Sequence, residues 1–199
     1  MMPSTSCTKA NPSAPSSCIE DYPGPFAVPT RLVWRMRIRP IEPADLEAWC
    51  RMRQALWPET DAEELRGEAE AYFADGGLLA AVFLGETRSG GVLGMLELSL
   101  RSYAEGCRAA PVPYIEAWYV VPKARRQGVG QALVTAAERW ARERGYRELA
   151  SDTLLGNRVG ERAHVALGFA EVERAIHFRK DLAAGSCRRP RQQIGRVLT

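Results

Sequence analysis

Arg125-Arg126-Gln127-Gly128-Val129-Gly130 sets two cations and two glycines at the mouth of a helix. The helix itself is announced by Val129, Leu133, Val134, Ala137, Trp140 and Ala141, apolar residues spaced to form one face. The first backbone N–H groups of a helix have no intrahelical acceptor and carry partial positive charge, and glycine lets an anion come close to them. Arginines beside such a notch add mobile charge. The chemistry these residues predict is the binding of a phosphate or a pyrophosphate. Spacing excludes two common phosphate sites. A P-loop needs G-x-x-x-x-G-K-[ST], whereas Lys123 precedes the glycines and no Ser or Thr stands in place; a dinucleotide fingerprint needs a third glycine where Leu133 stands.

The elements that must position this notch form a regular pattern. Residues 36 to 41, MRIRPI, alternate as a strand, and Pro43 then suits the first turn of a helix carrying Leu46, Trp49, Cys50, Arg53 and Leu56 at helical spacing. A second helix runs from Ala62 to Ala74 and ends at Asp75-Gly76-Gly77. The stretches LLAAVFLG and VLGMLELSLR read as strands joined through ETRSGG as a hairpin, and PYIEAWYVV, 113 to 121, is a further strand. After the helix that begins past Gly128 come a short strand RELASD, a helix from about Asn157 to Leu167 and a last strand through VERAIHFRK. The order β-α-α-β-β-β-α-β-α-β predicts an α/β chain of the α+β kind, with a mixed, mostly antiparallel sheet flanked by helices.

The ends read differently from the middle. Residues 1 to 35 are rich in Ser, Pro and Thr, a composition that predicts a disordered leader, and 183 to 199 reads as a disordered basic tail; one domain is expected over 36 to 182. Of the 27 Lys and Arg and 24 Asp and Glu, seven basic and two acidic residues fall outside Met36–Leu182, which leaves that stretch at a net charge of −2. A basic nucleic-acid-binding face is therefore not expected. The five cysteines are odd in number and scattered, with no C-x-x-C and no histidine at metal-ligand spacing, so a reducing cytoplasm and no metal are expected. No apolar run is long enough to cross a membrane, and the start of the chain lacks the apolar stretch of a secretory signal.

The segment Arg125 to Gly130 matches [Q/R]-x-x-G-x-[G/A] and comes after a strand ending Val120-Val121-Pro122. In that context it resembles the acetyl-coenzyme A signature of the GNAT acetyltransferase superfamily, with Asn157, eleven residues before Gly168-Phe169, as a second landmark. The resemblance covers about Met36 to Lys180 and implies the GNAT acyl-CoA N-acyltransferase fold. Within the superfamily the chain is similar to the chromosomal-type aminoglycoside 6'-N-acetyltransferases. The residues that carry this are Gln54-Ala55-Leu56-Trp57-Pro58, Arg101 to Gly106 with Pro111 beyond, Ile115-Glu116, Ala150-Ser151-Asp152, and His164 to Phe169 leading to Glu171 and Glu173.

That resemblance implies a site. Trp57 and Tyr103 would line an aminoglycoside pocket with Glu116, Asp152 and Glu173 as its acidic contacts. Trp118, Tyr119 and Val120 would hold the acetyl-pantetheine arm by strand-like backbone bonds, with Arg125, Arg126, Gln127, Gly128, Val129, Gly130 and Gln131 at the pyrophosphate and Asn157 at the pantetheine end. A homodimer is implied as well. Two departures stand out: the loop before Tyr103 is a residue shorter than the family's, and Gly130 replaces the commoner alanine, an exchange expected to be harmless.

The implied chemistry is sound. A polycationic sugar needs convergent carboxylates and flat aromatic surfaces. An amine attacks a thioester only when unprotonated, so Glu116 or Asp152, directly or through water, would take its proton. Backbone N–H near Trp118 to Val120 would polarise the carbonyl, and His164, seven residues after Asn157, would protonate the departing thiolate unless it is simply a satisfied helix histidine. Other readings stay open: transfer to a protein amino terminus or another small amine, or a module that binds acyl-coenzyme A without catalysis.

Overall fold

The computed structural model describes residues 36–74, 76–180, 182 and 197–198. Most of the leader and tail expected at 1–35 and 183–199 lies outside the described residues. The first strand, β1 (Met36–Pro40), leads through a short 3-10 turn, Pro43–Asp45, into α1 (Leu46–Leu56). Pro43 sits where its missing N–H costs nothing, and Glu42 and Asp45 cap each other's backbone reciprocally. Helix α2 (Ala62–Phe73) starts at Asp61, whose carboxylate accepts from Glu63 N at 2.8 Å. Next are three antiparallel strands, β2 (Leu79–Thr87), β3 (Val92–Arg101) and β4 (Val112–Val120). Then come α3 (Val129–Glu143), β5 (Ala150–Ser151), α4 (Arg158–Ala166) and, near the chain end, β6 (Val197–Leu198).

The sheet runs β1-β2-β3-β4-β5, antiparallel as far as β4 and parallel from β4 to β5, which bears out the mixed sheet expected. Its two faces bury different helices. On one side Val82, Leu84, Met95, Ala117 and Tyr119 meet Trp49, Met52, Leu56 and Ala69 of α1 and α2. On the other, Phe83, Leu96, Leu98, Ile115 and Trp118 meet Val129, Leu133, Val134 and Ala137 of α3, with Ala163 of α4 at the margin. Each such large side chain taken out of water stabilises the fold by about 1.5–3 kcal/mol.

Two local features of β4 shape the site it carries. Register against β3 slips where Glu97 faces Ala117 and Leu98 faces Ile115, so Glu116 is the extra residue of a β-bulge. Elsewhere along its edge, β4 meets β5 only at Tyr114 and Ile115, while Trp118 and Tyr119 pair in parallel with Val197 and Leu198.

Two expected strands differ. RELASD contributes only Ala150–Ser151. The stretch 171–180 has no ladder at all and is exposed throughout, with Val172 at 61%, Ile176 at 73% and Phe178 at 93%. Its alternation is that of a strand, but a strand needs a neighbour's backbone, and among the described residues it has none.

Candidate active site

At the end of β4 the chain turns through the 3-10 segment Pro122–Ala124 and reaches α3 by a backbone that alternates hands. Arg126 has φ 58° and Gly128 has φ 83°, so left-handed residues flank Gln127. Such alternation turns successive N–H groups inward as an anion cradle. Gly128 is the N-cap of α3, and no side chain accepts from the first turn, whose buried stripe anchors the helix from Val129 onward. Arg125 is held by its Nε donating to Val120 O at 3.0 Å, and Gln127 donates to Lys123 O at 2.7 Å. Uncapped amides, two left-handed residues and flanking arginines fit a diphosphate, the group an acyl-coenzyme A would present.

Gly130 also sets how closely α3 packs, which corrects the expectation that alanine would serve equally. A Cβ there would lie 2.9 Å from Trp118 Cζ2 and 3.3 Å from its Nε1. Trp118 is 1% exposed, so its ring has little room to yield. The absent side chain thus lets the first turn of α3 press on β4. Gly130→Ala is expected to destabilise by about 1–3 kcal/mol through overpacking and to raise KM for acetyl-coenzyme A, as a thermal melt and a saturation curve would reveal. An unchanged melt and KM would return Gly130 to a neutral role.

Four residues upstream of Val120, about 13 Å along the strand, the acidic cluster begins. Glu116 accepts from Ser99 Oγ at 2.5 Å, Arg101 Nε at 2.8 Å and Arg101 Nη2 at 2.6 Å, a bidentate pair plus a hydroxyl. The bulge produces this arrangement: Ile115 joins the α3 side and Ala117 the α1 side, while Glu116 faces Ser99 and Arg101 of β3. Asp152 comes directly after β5, within electrostatic reach of Arg101, Glu116 and the Tyr114 hydroxyl. Burial raises its carboxyl above the usual Asp range, and the Glu116 charge adds to this, against the lowering pull of Arg101 and of the nearby Tyr114 hydroxyl. Burial likewise pushes the Tyr114 phenol up. The structure therefore brings Glu116 and Asp152 into one electrostatic cluster from adjacent strands.

Glu173 is not drawn into it. It lies in the exposed stretch 171–180 and makes no hydrogen bond or ion pair with the described residues. Tyr103 is 66% exposed on the loop after β3. Trp57 ends α1 as its C-cap, and the Arg53 guanidinium stands 5.3 Å from its ring centroid.

The structure places His164 in the interior with both ring nitrogens engaged. Its Nδ1 is 2.8 Å from Gly160 O, and because a carbonyl only accepts, Nδ1 carries the proton. Nε2 lies 2.9 Å from Ser151 Oγ and accepts from that hydroxyl when the ring is neutral. Burial lowers its pKa below the ordinary histidine range, and the ring is wedged edge-on between Trp118 and Phe169. These contacts are those of a histidine satisfied within its helix and against β5. Asn157 caps α4, accepting from Gly160 N at 3.1 Å and donating to Thr153 Oγ1 at 3.0 Å.

Residues outside the expected set form a second buried polar network. Glu97, 1% exposed on β3, accepts from Trp49 Nε1 at 2.6 Å and lies 3.2 Å from Arg53 Nε. Arg53 also donates to Leu65 O and Glu68, at 2.7 Å each. Burial drives the Glu97 carboxyl up, opposed by Arg53 and Trp49. The signal was present in the chain: a cation within the apolar stripe of α1 and an acid within the apolar alternation of β3. Nothing short of register would have paired them. No group of His, Cys, Asp and Glu among the described residues could hold a metal ion, and no described helix is long and apolar enough to cross a membrane.

Comparison with known proteins gives consistent findings. The family model described as "Acetyltransferase (GNAT) family" matches residues 46–169. The aminoglycoside N(6')-acetyltransferase type 1 of Klebsiella aerogenes is 49% identical over 147 residues, covering 73% of this chain and 96% of that protein. Its namesake from Stenotrophomonas maltophilia is 41% identical over 146 residues, covering 73% and 93%. Among solved structures, AAC(6')-Iy in complex with the bisubstrate analogue CoA-S-monomethyl-acetylneamine has a TM-score of 0.68 and 35% identity, covering 73% of this chain and 98% of that one.

Proposed function

The chain belongs to the acetyltransferase (GNAT) family, and from that premise we propose that it is an aminoglycoside 6'-N-acetyltransferase, which moves acetyl from acetyl-coenzyme A to the 6'-amine of aminoglycoside antibiotics and so confers resistance. The observation that carries this reading is the alignment of an anion cradle and a carboxylate cluster along one strand, in a chain 49% identical to a protein of that name.

Acetyl-coenzyme A supplies the thioester and leaves as the thiol. The amides of Val129, Gly130 and Gln131 with Arg125, Arg126, Gln127 and Gly128 take its diphosphate, the edge of β4 at Trp118, Tyr119 and Val120 takes its arm, and Asn157 stands at the arm's end. Asp152 is the base that removes a proton from the incoming ammonium, because three donors already occupy Glu116 while Asp152 has the raised carboxyl. The free amine then attacks the thioester carbonyl, forming the C–N bond as the C–S bond breaks, and the proton that the nitrogen sheds on becoming an amide passes to the departing thiolate. Trp57 and Tyr103 offer stacking surfaces, and Glu116 and Glu173 bind the remaining ammonium groups. The product has lost one positive charge and one donor.

A thiol-release assay with acetyl-coenzyme A and kanamycin or tobramycin tests this. Release is expected with these substrates and not with an aminoglycoside lacking the 6'-amine. Background release with all of them overturns the reading.

Because Val197 and Leu198 pair with β4 at Trp118 and Tyr119, the arm and the chain end share one edge. A chain ending at residue 182 is expected to show a lower KM for acetyl-coenzyme A than the full chain, by roughly the strength of a short strand pairing, a few-fold. An unchanged or higher KM removes that competition.

The working form is a homodimer in the cytoplasm. Supporting the dimer, Val172, Ile176 and Phe178 form an exposed apolar row on a segment with no partner strand among the described residues, and a cavity of about 570 Å³ beside β5 is lined by Leu149, Phe169 and Val172. Supporting the compartment, Cys50 and Cys107 are free thiols.

A further inference from the structure

A pocket for a polycation would be expected to present bare carboxylates, yet Glu116 is already occupied by a cation of the chain itself. Arg101, one strand away on β3, grips both carboxylate oxygens, at 2.8 and 2.6 Å. With Ser99 Oγ as third donor, three of the roughly four acceptor positions of a carboxylate are taken. An ammonium brings three donors of its own and cannot engage Glu116 well while the fork is closed.

We propose that Arg101 is an internal counter-ion that occupies the subsite of a substrate ammonium and is displaced when the aminoglycoside binds, so that it tunes affinity for this class of substrate. The inference rests on the functional reading above. Three observations carry it. The fork is bidentate, so it is specific for Glu116 rather than a loose surface contact. The pair is accessible, with side-chain exposures of 42% for Arg101 and 27% for Glu116, so the guanidinium can leave into water at little cost. Arg101 also has somewhere to remain, since its guanidinium carbon lies 3.5 Å from the centroid of the Tyr114 ring.

The contrast with Arg53 sharpens the point. That guanidinium is 7% exposed and tied to Glu97, Glu68 and Leu65 O, a fixed brace rather than a movable one. Arg101 also lowers the carboxyl of Asp152, which is faced in addition by Glu116 and Tyr114 from β4 and by His164 from α4. A substrate ammonium arriving at Glu116 replaces the charge that Arg101 withdraws.

Arg101→Gln and Arg101→Lys test this against the wild-type chain. Calorimetric titration with kanamycin is expected to give a Kd lowered about three- to tenfold for Arg101→Gln, the range of a partly exposed ion pair. Arg101→Lys keeps the charge but loses the fork, so it is expected to fall between the two. Coenzyme A affinity and the thermal midpoint serve as controls for folding. The acid limb of kcat/KM in Arg101→Gln should move to higher pH, as Asp152 loses the cation that lowers it. In wild-type protein, the Arg101 Nε–H resonance should shift on saturation with kanamycin.

Equal or weaker kanamycin binding by Arg101→Gln, Arg101→Lys indistinguishable from wild type, or an unmoved Nε–H resonance would each overturn the inference. Absence of thiol release by the wild-type chain would sink the functional reading and this inference with it. Turnover by wild type without tightening in the variants sinks the counter-ion alone.

Discussion

Asp152→Asn is expected to lower kcat for kanamycin acetylation about 10²–10⁴-fold, with coenzyme A binding unchanged. The side chain keeps its shape, so the loss would be that of a proton acceptor and not of packing. The environment suits a general base. Burial holds the carboxyl above the usual Asp range, nearer the pH at which an ammonium must be deprotonated, while Arg101 keeps it from rising so far that it stays protonated. The sign for activity is then fixed. A raised folded-state pKa means the active, ionised form fills as pH climbs through a value above the ordinary carboxylate range, so kcat/KM of the wild type rises there. In Asp152→Asn that limb should vanish. Activity within threefold of wild type, with the limb intact, would move the base to Glu116 or to a water.

Glu97→Ala is expected to cost about 3–5 kcal/mol of stability, the penalty for breaking a buried ion pair. Three losses coincide. The buried Trp49 Nε1 loses its acceptor at 2.6 Å, Arg53 loses the carboxylate 3.2 Å from its Nε, and a fully buried side chain leaves a void between α1 and β3. For a domain of this size each kcal/mol lowers Tm by about 2–4 °C, so a fall on the order of 10 °C should appear in a thermal melt. Glu97→Gln keeps an acceptor for Trp49 and fills the volume, so its fall should be smaller. A function-linked consequence accompanies the structural one: Arg53 also stands against the Trp57 ring, and loosening it should raise KM for the aminoglycoside more than KM for acetyl-coenzyme A. A melt within about 1–2 °C of wild type, well short of that fall, would show that packing alone seats α1 on the sheet.

Comparing these two sites shows which parts of the molecule the chain discloses in its order of residues. The cradle at 126–131 was readable because everything it needs is consecutive: glycine at the helix mouth, the apolar stripe that starts the helix, arginines alongside. The same holds for the strands and helices from Met36 to Leu167, whose periodicities of two and 3.6 arise from neighbours a few residues apart. Family resemblance then supplied names for Glu116 and Asp152, and these two do converge.

What the residue order left open is whatever depends on contact between distant segments. Glu116 faces Arg101 because β4 carries one extra residue at the bulge, and a slip of one position reverses which side of a sheet a residue addresses. Gly130 matters through the Trp118 ring, and the pKa of His164 is lowered because the fold buries its ring between Trp118 and Phe169. The stretch 171–180 has the alternation of a strand and, among the described residues, no strand to join. Local sterics and short-range hydrogen bonds are written into adjacent residues, so the elements and the phosphate notch could be read from residue order. Register, burial and the pairing of charges arise only when the sheet closes, so it took the folded molecule to show that Ser99 and Arg101 hold Glu116.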